Sequence, residues 1–189
     1  MESLLTRFLP IEQPIKRVFL WGMPGSGKST LGRKLASKLN WEFVDLDELI
    51  VEHAGKSIPE IFEESGESGF REMESEVLAT VLGNVFAVIS TGGGAPCFLN
   101  NAEKMNASGL SVLLDVPMGM LAHRLSHAKE VRPLVSGTDK EELLQKLETM
   151  YADRASAYNK AHLIFNLTKT DNKQILTTLS DLIPGKSSV

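Results

Sequence analysis

The chain contains few of the residues that stabilise secreted proteins or build metal cages. Its 189 residues include a single cysteine, Cys97, which excludes a disulfide framework within the chain and a cysteine-based zinc site. One cysteine is typical of a protein in a reducing cytoplasm, which is where we expect this protein to act. The four histidines, at positions 53, 123, 127 and 162, lack the spacing of metal ligands.

Long apolar runs and an excess of basic residues are missing as well. No stretch approaches the roughly 20 apolar residues that a membrane span needs, and residues 1–14 lack the basic start and apolar core of a signal peptide. The formal net charge is −4, whereas nucleic-acid-binding proteins usually carry a basic face. We therefore expect neither a membrane nor a nucleic acid as partner. Hydrophobic residues make up 42% of the chain, which is enough for the core of one α/β domain.

Residues 22–29 read Gly-Met-Pro-Gly-Ser-Gly-Lys-Ser and fit the phosphate-binding P-loop pattern G-x-x-x-x-G-K-[ST] in full. An apolar run precedes them and a stretch with helical periodicity follows, which is the strand–loop–helix context that the pattern needs. Backbone N–H groups and the positive end of the helix then face the phosphates. Lys28 would reach the β- and γ-phosphates, and the Ser29 hydroxyl would bind Mg²⁺. The glycine order differs from G-x-G-x-x-G, which argues against a dinucleotide site.

Strand-like and helix-like segments alternate along the chain. Apolar runs of strand length lie at 18–21, 42–44, 85–90, 112–115 and 163–166, and helical patterns lie at 29–40, 47–53, 58–64, 67–82, 118–127, 140–158 and 173–183. This alternation predicts a parallel sheet covered by helices on both faces. Residues 1–16 are interpreted as a short extension, residues 128–140 as a mobile loop and residues 185–189 as a frayed tail.

Polar and glycine motifs follow the predicted strands, at the edge where parallel sheets bind ligands. Asp45 and Asp47 follow the second strand, and strand-like alternation would point both side chains the same way. One carboxylate could hold Mg²⁺ through water and the other could accept a proton from a substrate hydroxyl. The plainer alternative is that Asp47 is a helix N-cap. Three glycines, at 92–94, follow the third strand and would let a ligand lie against bare backbone.

Three arginines are candidates for binding anionic groups, and each has a plainer structural alternative. Arg71 and Glu74 share a helix face, so Glu74 could hold the guanidinium while Arg71 binds a substrate carboxylate; an exposed salt bridge would give the same pattern. Arg132, in the 128–140 loop, could swing onto the transferring phosphoryl group or be a solvated loop residue. Arg154, four residues before Tyr158, could be a second carboxylate clamp or a surface charge.

Taken together, these motifs resemble the shikimate kinase family. The ordered set comprises the P-loop, Asp-x-Asp, Phe-Arg-x-x-Glu, Gly-Gly-Gly, Arg-Pro-Leu and Arg-x-x-x-Tyr, and its spacing agrees from about residue 17 to residue 183. The resemblance implies an α/β fold of the nucleoside-monophosphate-kinase-like P-loop group. Such a fold has three α/β/α layers and a five-stranded parallel sheet of order 2-3-1-4-5. It also implies a single kinase domain at 17–184, with substrate-binding helices at about 46–75 and a lid at about 128–140.

The activity that this resemblance implies is transfer of the ATP γ-phosphoryl group to the 3-hydroxyl of shikimate. The products would be shikimate 3-phosphate and ADP, on the route to chorismate and the aromatic amino acids. Mg²⁺ would be the cofactor, ATP and shikimate the small-molecule partners, and the enzyme would be a cytoplasmic monomer.

The resemblance also implies roles for single residues. ATP would be bound by Gly25, Ser26, Gly27, Lys28, Ser29, Thr30, Arg124 and Arg132, with Arg124 stacked on the adenine and Arg132 closing over the phosphates. Shikimate would be bound by Asp47, Arg71, Glu74, Gly93, Gly94 and Arg154, with Arg71 and Arg154 on its carboxylate. The catalytic groups would be Lys28, Asp47 as the base, and Arg132; Mg²⁺ would be held by Ser29 and, through water, by Asp45.

The segment after the last strand departs from the family pattern and suggests a rival. Its sequence Thr168-Lys169-Thr170-Asp171 lacks the proline that often packs on adenine in shikimate kinases, and it is similar to the guanine-reading motif of GTPases. A GTPase would also need Asp-x-x-Gly after a strand, and the segment 115–119 is one residue too long. A gluconate-kinase-like enzyme is disfavoured by the two arginines and the triple glycine. A catalytically dead regulatory relative is disfavoured by the intact lysine, base and lid arginine.

Overall fold

A sheet forms the centre of the molecule in the computed structural model, which describes residues 5–8, 14–83, 86–127 and 139–183. The strands are β1 Leu5–Phe8, β2 Arg17–Trp21, β3 Glu42–Asp45, β4 Ala87–Ser90, β5 Leu110–Asp115 and β6 Leu163–Asn166. Their spatial order is β1-β6-β5-β2-β4-β3. The strands β2 to β6 pair in parallel. Numbered among themselves, these five have the order 2-3-1-4-5, so the predicted fold class is confirmed.

Helices cover both faces of this sheet and make three layers. They are α1 Lys28–Leu39, α2 Leu46–Ala54, α3 Ile58–Val81, α4 Asn101–Ser108, α5 Met118–Ser126, α6 Lys140–Tyr158 and α7 Asn172–Leu182. Alternate residues of β2 point to opposite faces, as a strand requires. Val18 and Leu20 pack in the apolar cluster that includes side chains of α1 and α7, whereas Phe19 and Trp21 pack in the cluster beneath α2 to α6.

The strand β1 lies inside the segment that the sequence predicted as an extension. It pairs antiparallel with β6, and Phe8 lies opposite Leu163. An edge strand presents unpaired N–H and C=O groups, and a short extended segment can satisfy them. Four residues are too few to show a period-two pattern, which is why the sequence did not indicate this strand.

Two helical features differ from the sequence prediction. The segments 58–64 and 67–82 form one element, α3, which Gly66 interrupts with φ 65° and ψ −172°. The helix α4 was not predicted. Ala102 and Met105 are its buried apolar residues, so its eight residues carry too little hydrophobic periodicity to stand out.

Residues 128–138 of the predicted lid at about 128–140, among them Arg132, lie outside the described residues, and so does the predicted tail at 185–189. The last two lid positions are the N-cap and the first residue of α6. The described structure resumes at Asp139, whose Oδ1 accepts hydrogen bonds from the N–H groups of Glu141 (2.9 Å) and Glu142 (2.8 Å) and so caps α6. Within the described ranges, no helix is both long enough and apolar enough to cross a membrane.

A polar cluster lies at the amino ends of β5 and β6, opposite the edge that carries the P-loop. The N–H of Ser111 donates to Nδ1 of His162 (3.2 Å), and the Ser111 hydroxyl lies 2.9 Å from the same nitrogen. Because a backbone N–H can only donate, Nδ1 must be an acceptor in the folded protein. Burial lowers the pKa of His162 below its ordinary value of 6.5.

We expect this histidine to make folding less favourable in mild acid. Well above pH 6.5 His162 is neutral in both the folded and the unfolded state, so its full contribution to stability is present. As the pH falls from there towards the lowered pKa, the unfolded chain binds the proton first and the free energy of unfolding decreases. Urea unfolding at about pH 7.5 and about pH 5.5 should show this loss in the wild type and less of it in His162→Asn. The exposed His53, changed to Asn, is the control, and an equal pH response in His162→Asn and the wild type would contradict the assignment.

Candidate active site

The side chain of the P-loop lysine, Lys28, forms hydrogen bonds with the backbone of the loop. Gly27, at φ 95°, ends the loop in the left-handed region and begins α1, a conformation that glycine adopts without strain. The Nζ of Lys28 donates to the carbonyl oxygens of Gly22 (2.9 Å) and Met23 (3.1 Å) and lies 3.5 Å from Ser26 Oγ. The ammonium group is therefore already buried and oriented within the loop that would bind a phosphate.

An oxygen-rich group lies beside the loop, where β3 ends and α2 begins. The Ser29 hydroxyl donates to Asp45 Oδ2 (2.7 Å) and lies 3.1 Å from the Ser90 hydroxyl. The N-cap of α2 is Asp45, whose Oδ1 accepts from the Asp47 N–H (3.2 Å). The N-cap alternative for Asp47 is therefore wrong. The strand-alternation argument is also wrong, because Asp47 lies in the first turn of a helix.

A cavity of about 490 Å³ joins these groups. Arg124 lies across its mouth, with Nη1 3.3 Å from the carbonyl oxygens of both Gly25 and Ser26. The predicted residues that line this cavity are Gly25, Ser26, Gly27, Lys28, Ser29, Thr30, Asp45, Asp47, Gly93 and Arg124. The fold thus brings the whole predicted nucleotide set together, apart from Arg132. Asn172, which the sequence analysis did not single out, also lines the cavity.

The segment that is similar to a guanine-reading motif has a structural use. Asp171 caps α7: its Oδ1 accepts from the N–H of Gln174 (2.8 Å), and Gln174 Oε1 accepts from the N–H of Asp171 (3.0 Å). Thr168 donates its N–H to Asn166 Oδ1 (2.9 Å), which closes the turn after β6. The carboxylate of Asp171, which a GTPase would direct at guanine, instead caps α7.

A second cavity, of about 740 Å³, is lined by side chains of α3, of α6 and of the turn that follows the glycine loop. Arg71, from α3, and Arg154, from α6, both line it. Cys97 lines it too, and burial raises the pKa of this thiol, which argues against a nucleophilic role. Two guanidinium groups in one cavity favour an anionic ligand such as a carboxylate.

The guanidinium of Arg71 is enclosed on several sides. Its Nη1 donates to Glu74 Oε2 (2.8 Å) and its Nη2 to Glu67 Oε1 (3.2 Å). Its Cζ lies 4.3 Å from the centre of the Phe98 ring and 5.1 Å from that of Phe70. Since the side chain is only 12% exposed, the simple exposed salt bridge is ruled out as its description.

Glu74 is fully buried beneath Arg71. Desolvation raises the pKa of its carboxyl group, and the Arg71 charge opposes that rise in part. Its Oε1 has no hydrogen-bond partner among the described residues. That oxygen faces Gly92 from the same side as Asp47 Oδ1, because a Cβ added at Gly92 would lie 2.8 Å from the first and 2.9 Å from the second.

At each glycine of the 92–94 loop, different functional side chains lie where a Cβ atom would otherwise be. At Gly92 that space holds the two carboxylates just described. A Cβ at Gly93 would lie 2.9 Å from Arg154 Nη1, and a Cβ at Gly94 would lie 2.6 Å from Arg71 Nη2. The sequence predicted that a ligand would use this bare backbone. In the structure the protein's own arginines and carboxylates lie against it.

A tyrosine of α6 links Arg154 to the glycine loop. The hydroxyl of Tyr158 donates to the Gly93 carbonyl (2.7 Å) and also forms a hydrogen bond with the Arg154 side chain. Burial is the main reason that the pKa of Tyr158 is strongly raised, so the phenol stays protonated and can donate. Arg154 is half-buried, which does not fit the alternative of a surface charge.

The alanine variant of Gly94 tests this arrangement. A methyl group there would meet Arg71 Nη1, Nη2 and Cζ at 2.6–2.8 Å, and the two carboxylates that hold the guanidinium limit how far it can move. We expect Gly94→Ala to weaken binding of the anionic ligand about tenfold or more while ATP binding is unchanged. Isothermal titration of each ligand measures this. Gly119→Ala is the control, since nothing lies within 4 Å of its added Cβ; equal affinities in both variants would contradict the expectation.

Comparison with known proteins identifies the family. A family model described as shikimate kinase matches residues 24–184. The chain belongs to the shikimate kinase family. The shikimate kinase of Bacteroides thetaiotaomicron is 44% identical over 157 residues, which cover 83% of this chain and 90% of that protein. The shikimate kinase of Parabacteroides distasonis is 41% identical over 173 residues, covering 89% of this chain and all of the relative.

Solved structures of shikimate kinases have the same fold. The crystal structure of the Bacteroides thetaiotaomicron shikimate kinase has a TM-score of 0.83 and 43% identity, and the match covers 88% of this chain and 97% of that one. The shikimate kinase of Acinetobacter baumannii, solved in complex with shikimate, has a TM-score of 0.79 and 32% identity over 89% of this chain and 92% of its own. The family resemblance predicted from the motifs is confirmed.

Besides Asn172, sequence reasoning missed three side chains that contact the predicted site residues. The Ser90 hydroxyl lies beside that of Ser29. Its position at the carboxyl end of a strand could have indicated a place in the site. Glu67 is the second carboxylate on Arg71, and its i, i+4 spacing could have indicated it. Phe98 lies against the same guanidinium, but an isolated phenylalanine beside a turn gives no signal of such a role.

Proposed function

We propose that this protein is an ATP-dependent shikimate kinase that transfers the γ-phosphoryl group of ATP to the 3-hydroxyl of shikimate. The observation that carries this proposal is the closeness of the two cavities at the glycine loop. Gly93 lines the nucleotide cavity, and a Cβ added there would lie 2.9 Å from Nη1 of Arg154, which lines the cavity with two arginines. A phosphate-binding loop and an anion clamp that meet at one strand-end loop suit direct transfer between two bound substrates.

The chemistry proposed for Asp47 is general-base catalysis. Its carboxylate would take the proton from the 3-hydroxyl as that oxygen forms a bond to the γ-phosphorus. The bond between the γ-phosphorus and the β–γ bridging oxygen breaks, and ADP leaves. Support comes from the position of Asp47 on the nucleotide cavity, against the glycine loop. Lys28 would neutralise charge on the phosphoryl oxygens, and Arg132, outside the described residues, is the proposed lid arginine.

Mg²⁺ is proposed as the cofactor, held by the Ser29 hydroxyl and by Asp45 through water. The donor set fits this ion: hydroxyl and carboxylate oxygens lie together, with the Ser29 hydroxyl bonded to Asp45. Among the described residues there is no cluster of three or more histidine, cysteine or acidic side chains that could form a metal cage. Mg²⁺ bound to ATP depends on one or two protein ligands together with phosphate and water, and it neutralises charge on the β- and γ-oxygens.

We also propose that the enzyme acts as a monomer in the cytoplasm. The single cysteine supports a reducing compartment. A monomer is proposed because all the residues assigned to ATP and shikimate belong to one chain.

The test is a coupled assay of ADP release with ATP and Mg²⁺. Shikimate is the acceptor in one arm, gluconate in a second, and a third has no acceptor. ADP release that depends on shikimate supports the proposal. Release of ADP without an acceptor, or release of a nucleoside diphosphate only when GTP replaces ATP, would favour an NTPase. Release with gluconate alone would assign the enzyme to another class of small-molecule kinase.

A further inference from the structure

The aromatic ring nearest to the Arg71 guanidinium belongs to Phe98. The Cζ of Arg71 lies 4.3 Å from the centre of this ring, closer than it lies to Phe70. A guanidinium within about 6 Å of a ring centroid is attracted by the negative face of the ring, and the attraction is larger where water is excluded. Arg71 is 12% exposed, so this contact lies in largely dehydrated surroundings.

Phe98 contributes little to the hydrophobic core. It is half-buried, and among the described residues it belongs to neither of the two apolar clusters that cover the faces of the sheet. Its side chain lines the cavity that Arg71 and Arg154 also line. A large apolar ring that lies against a guanidinium instead of packing in the core has its main contacts at the site.

The backbone on either side of Phe98 is unusual. A short 3₁₀ turn, Ala95–Cys97, connects the glycine loop to Phe98. Leu99 and Asn100 then follow with φ of 50° and 56°, in the left-handed region that leucine rarely adopts. Sparsely populated backbone conformations tend to occur at functional sites, where the surrounding structure holds them. Here they turn the chain directly after Phe98 and before α4.

We propose that Phe98 is a positioning residue of the acceptor site, whose ring holds the Arg71 guanidinium in the orientation that binds the shikimate carboxylate. The inference rests on the proposed function for the identity of the acceptor. All three guanidinium nitrogens of Arg71 already donate to carboxylates: Nη1 to Glu74, and Nε and Nη2 to Glu67. The Glu67 side chain is 62% exposed and can move together with the guanidinium, so its hydrogen bonds alone hold the group weakly. The Phe98 ring lies against the face of the planar group and limits tilting of its plane.

The test compares Phe98→Leu and Phe98→Tyr with the wild type in steady-state kinetics. Leucine keeps apolar volume without a ring, and tyrosine keeps the ring. We expect Phe98→Leu to raise the KM for shikimate about tenfold, with kcat and the KM for ATP within about twofold of wild type. Phe98→Tyr keeps the ring, so its KM for shikimate should stay within about twofold of the wild-type value. The melting temperature of both should stay close to the wild-type value, because the ring lies outside both core clusters.

The control is a matched contact elsewhere in the molecule. The Cζ of Arg33 lies 4.4 Å from the centre of the Phe43 ring, on the surface of α1 and β3. Phe43→Leu makes the same chemical change to a similar contact outside the cavity that Arg71 and Arg154 line. It should therefore leave the KM for shikimate and the KM for ATP unchanged. A rise in the KM for shikimate in this variant would show that the effect is general, and would overturn the inference.

A double-mutant cycle decides whether Phe98 acts through Arg71. If it does, the double variant Arg71→Ala with Phe98→Leu should have a kcat/KM for shikimate within about twofold of that of Arg71→Ala alone. An undiminished tenfold effect in the Arg71→Ala background would mean that the ring contacts the acceptor directly, which overturns the positioning role. A wild-type KM in Phe98→Leu would overturn it too. If the proposed function itself is wrong, the wild-type protein will show no shikimate-dependent turnover in the coupled assay, before any variant is compared.

Discussion

Replacement of Asp47 by asparagine should lower kcat by about 100- to 10,000-fold while ATP affinity stays the same. Asparagine keeps the size of the side chain and removes the basic oxygen. The variant should also fold normally. The bond that caps α2 runs from the Asp47 backbone N–H to Asp45, and a side-chain change leaves it intact. Removing the charge of Asp47 even relieves Glu74, whose raised pKa the Asp47 charge helps to cause.

The measurements are steady-state turnover with shikimate and a direct titration of ATP. Glu48→Gln is a close control, because it removes one carboxylate charge from the adjacent, exposed position of the same helical turn. We expect wild-type kcat in that control. Turnover of Asp47→Asn within about tenfold of wild type would exclude Asp47 as the base.

Removal of the Arg71 side chain should have the largest effect on the acceptor. We expect Arg71→Ala to raise the KM for shikimate about 100-fold, since a charge-assisted bidentate contact is lost, and to leave the KM for ATP within about twofold. The nucleotide cavity has no contribution from this arginine. An equal rise of both KM values would contradict a carboxylate clamp.

The same substitution leaves Glu74 buried without its principal cation, which costs about 3–5 kcal/mol of stability when a buried pair is broken. A second variant separates this loss from the loss of binding. In Arg71→Ala combined with Glu74→Gln, the unpaired buried charge at position 74 is removed as well, so the melting temperature should recover towards wild type. The KM for shikimate should remain high in the double variant. Recovery of both quantities together would mean that Arg71 acts through stability alone.

The nucleotide half of the site could be predicted from local sequence. A P-loop is contiguous, so Gly27, Lys28 and Ser29 take their positions from one turn between a strand and a helix. Asp45 and Asp47 follow from the rule that ligands lie at the carboxyl ends of parallel strands. Their individual roles depend on where α2 begins, however, and a boundary that is uncertain by one or two residues decides which aspartate is the cap.

The acceptor half depends on contacts between residues far apart in the chain. Arg71 and Arg154 are 83 positions apart, and no periodicity indicates that α3 and α6 direct them into one cavity. The family resemblance supplied that pairing. It did not supply Phe98, because the 3₁₀ turn and the two left-handed residues that orient this ring have no motif in the sequence. The strand β1 was missed for a similar reason, since its partner β6 lies more than 150 residues away.

The glycine loop at 92–94 also bears on how the acceptor preference of such an enzyme can change during evolution. At three successive positions a larger residue would displace a functional side chain, and the chemical group displaced differs each time: a carboxylate pair, one guanidinium, then the other. A substitution at one of them cannot be compensated by a change at its neighbour, since the neighbour serves another group. We therefore expect variation that admits a new acceptor to arise on α6 and at the turn of Cys97 and Phe98, whose side chains line the same cavity.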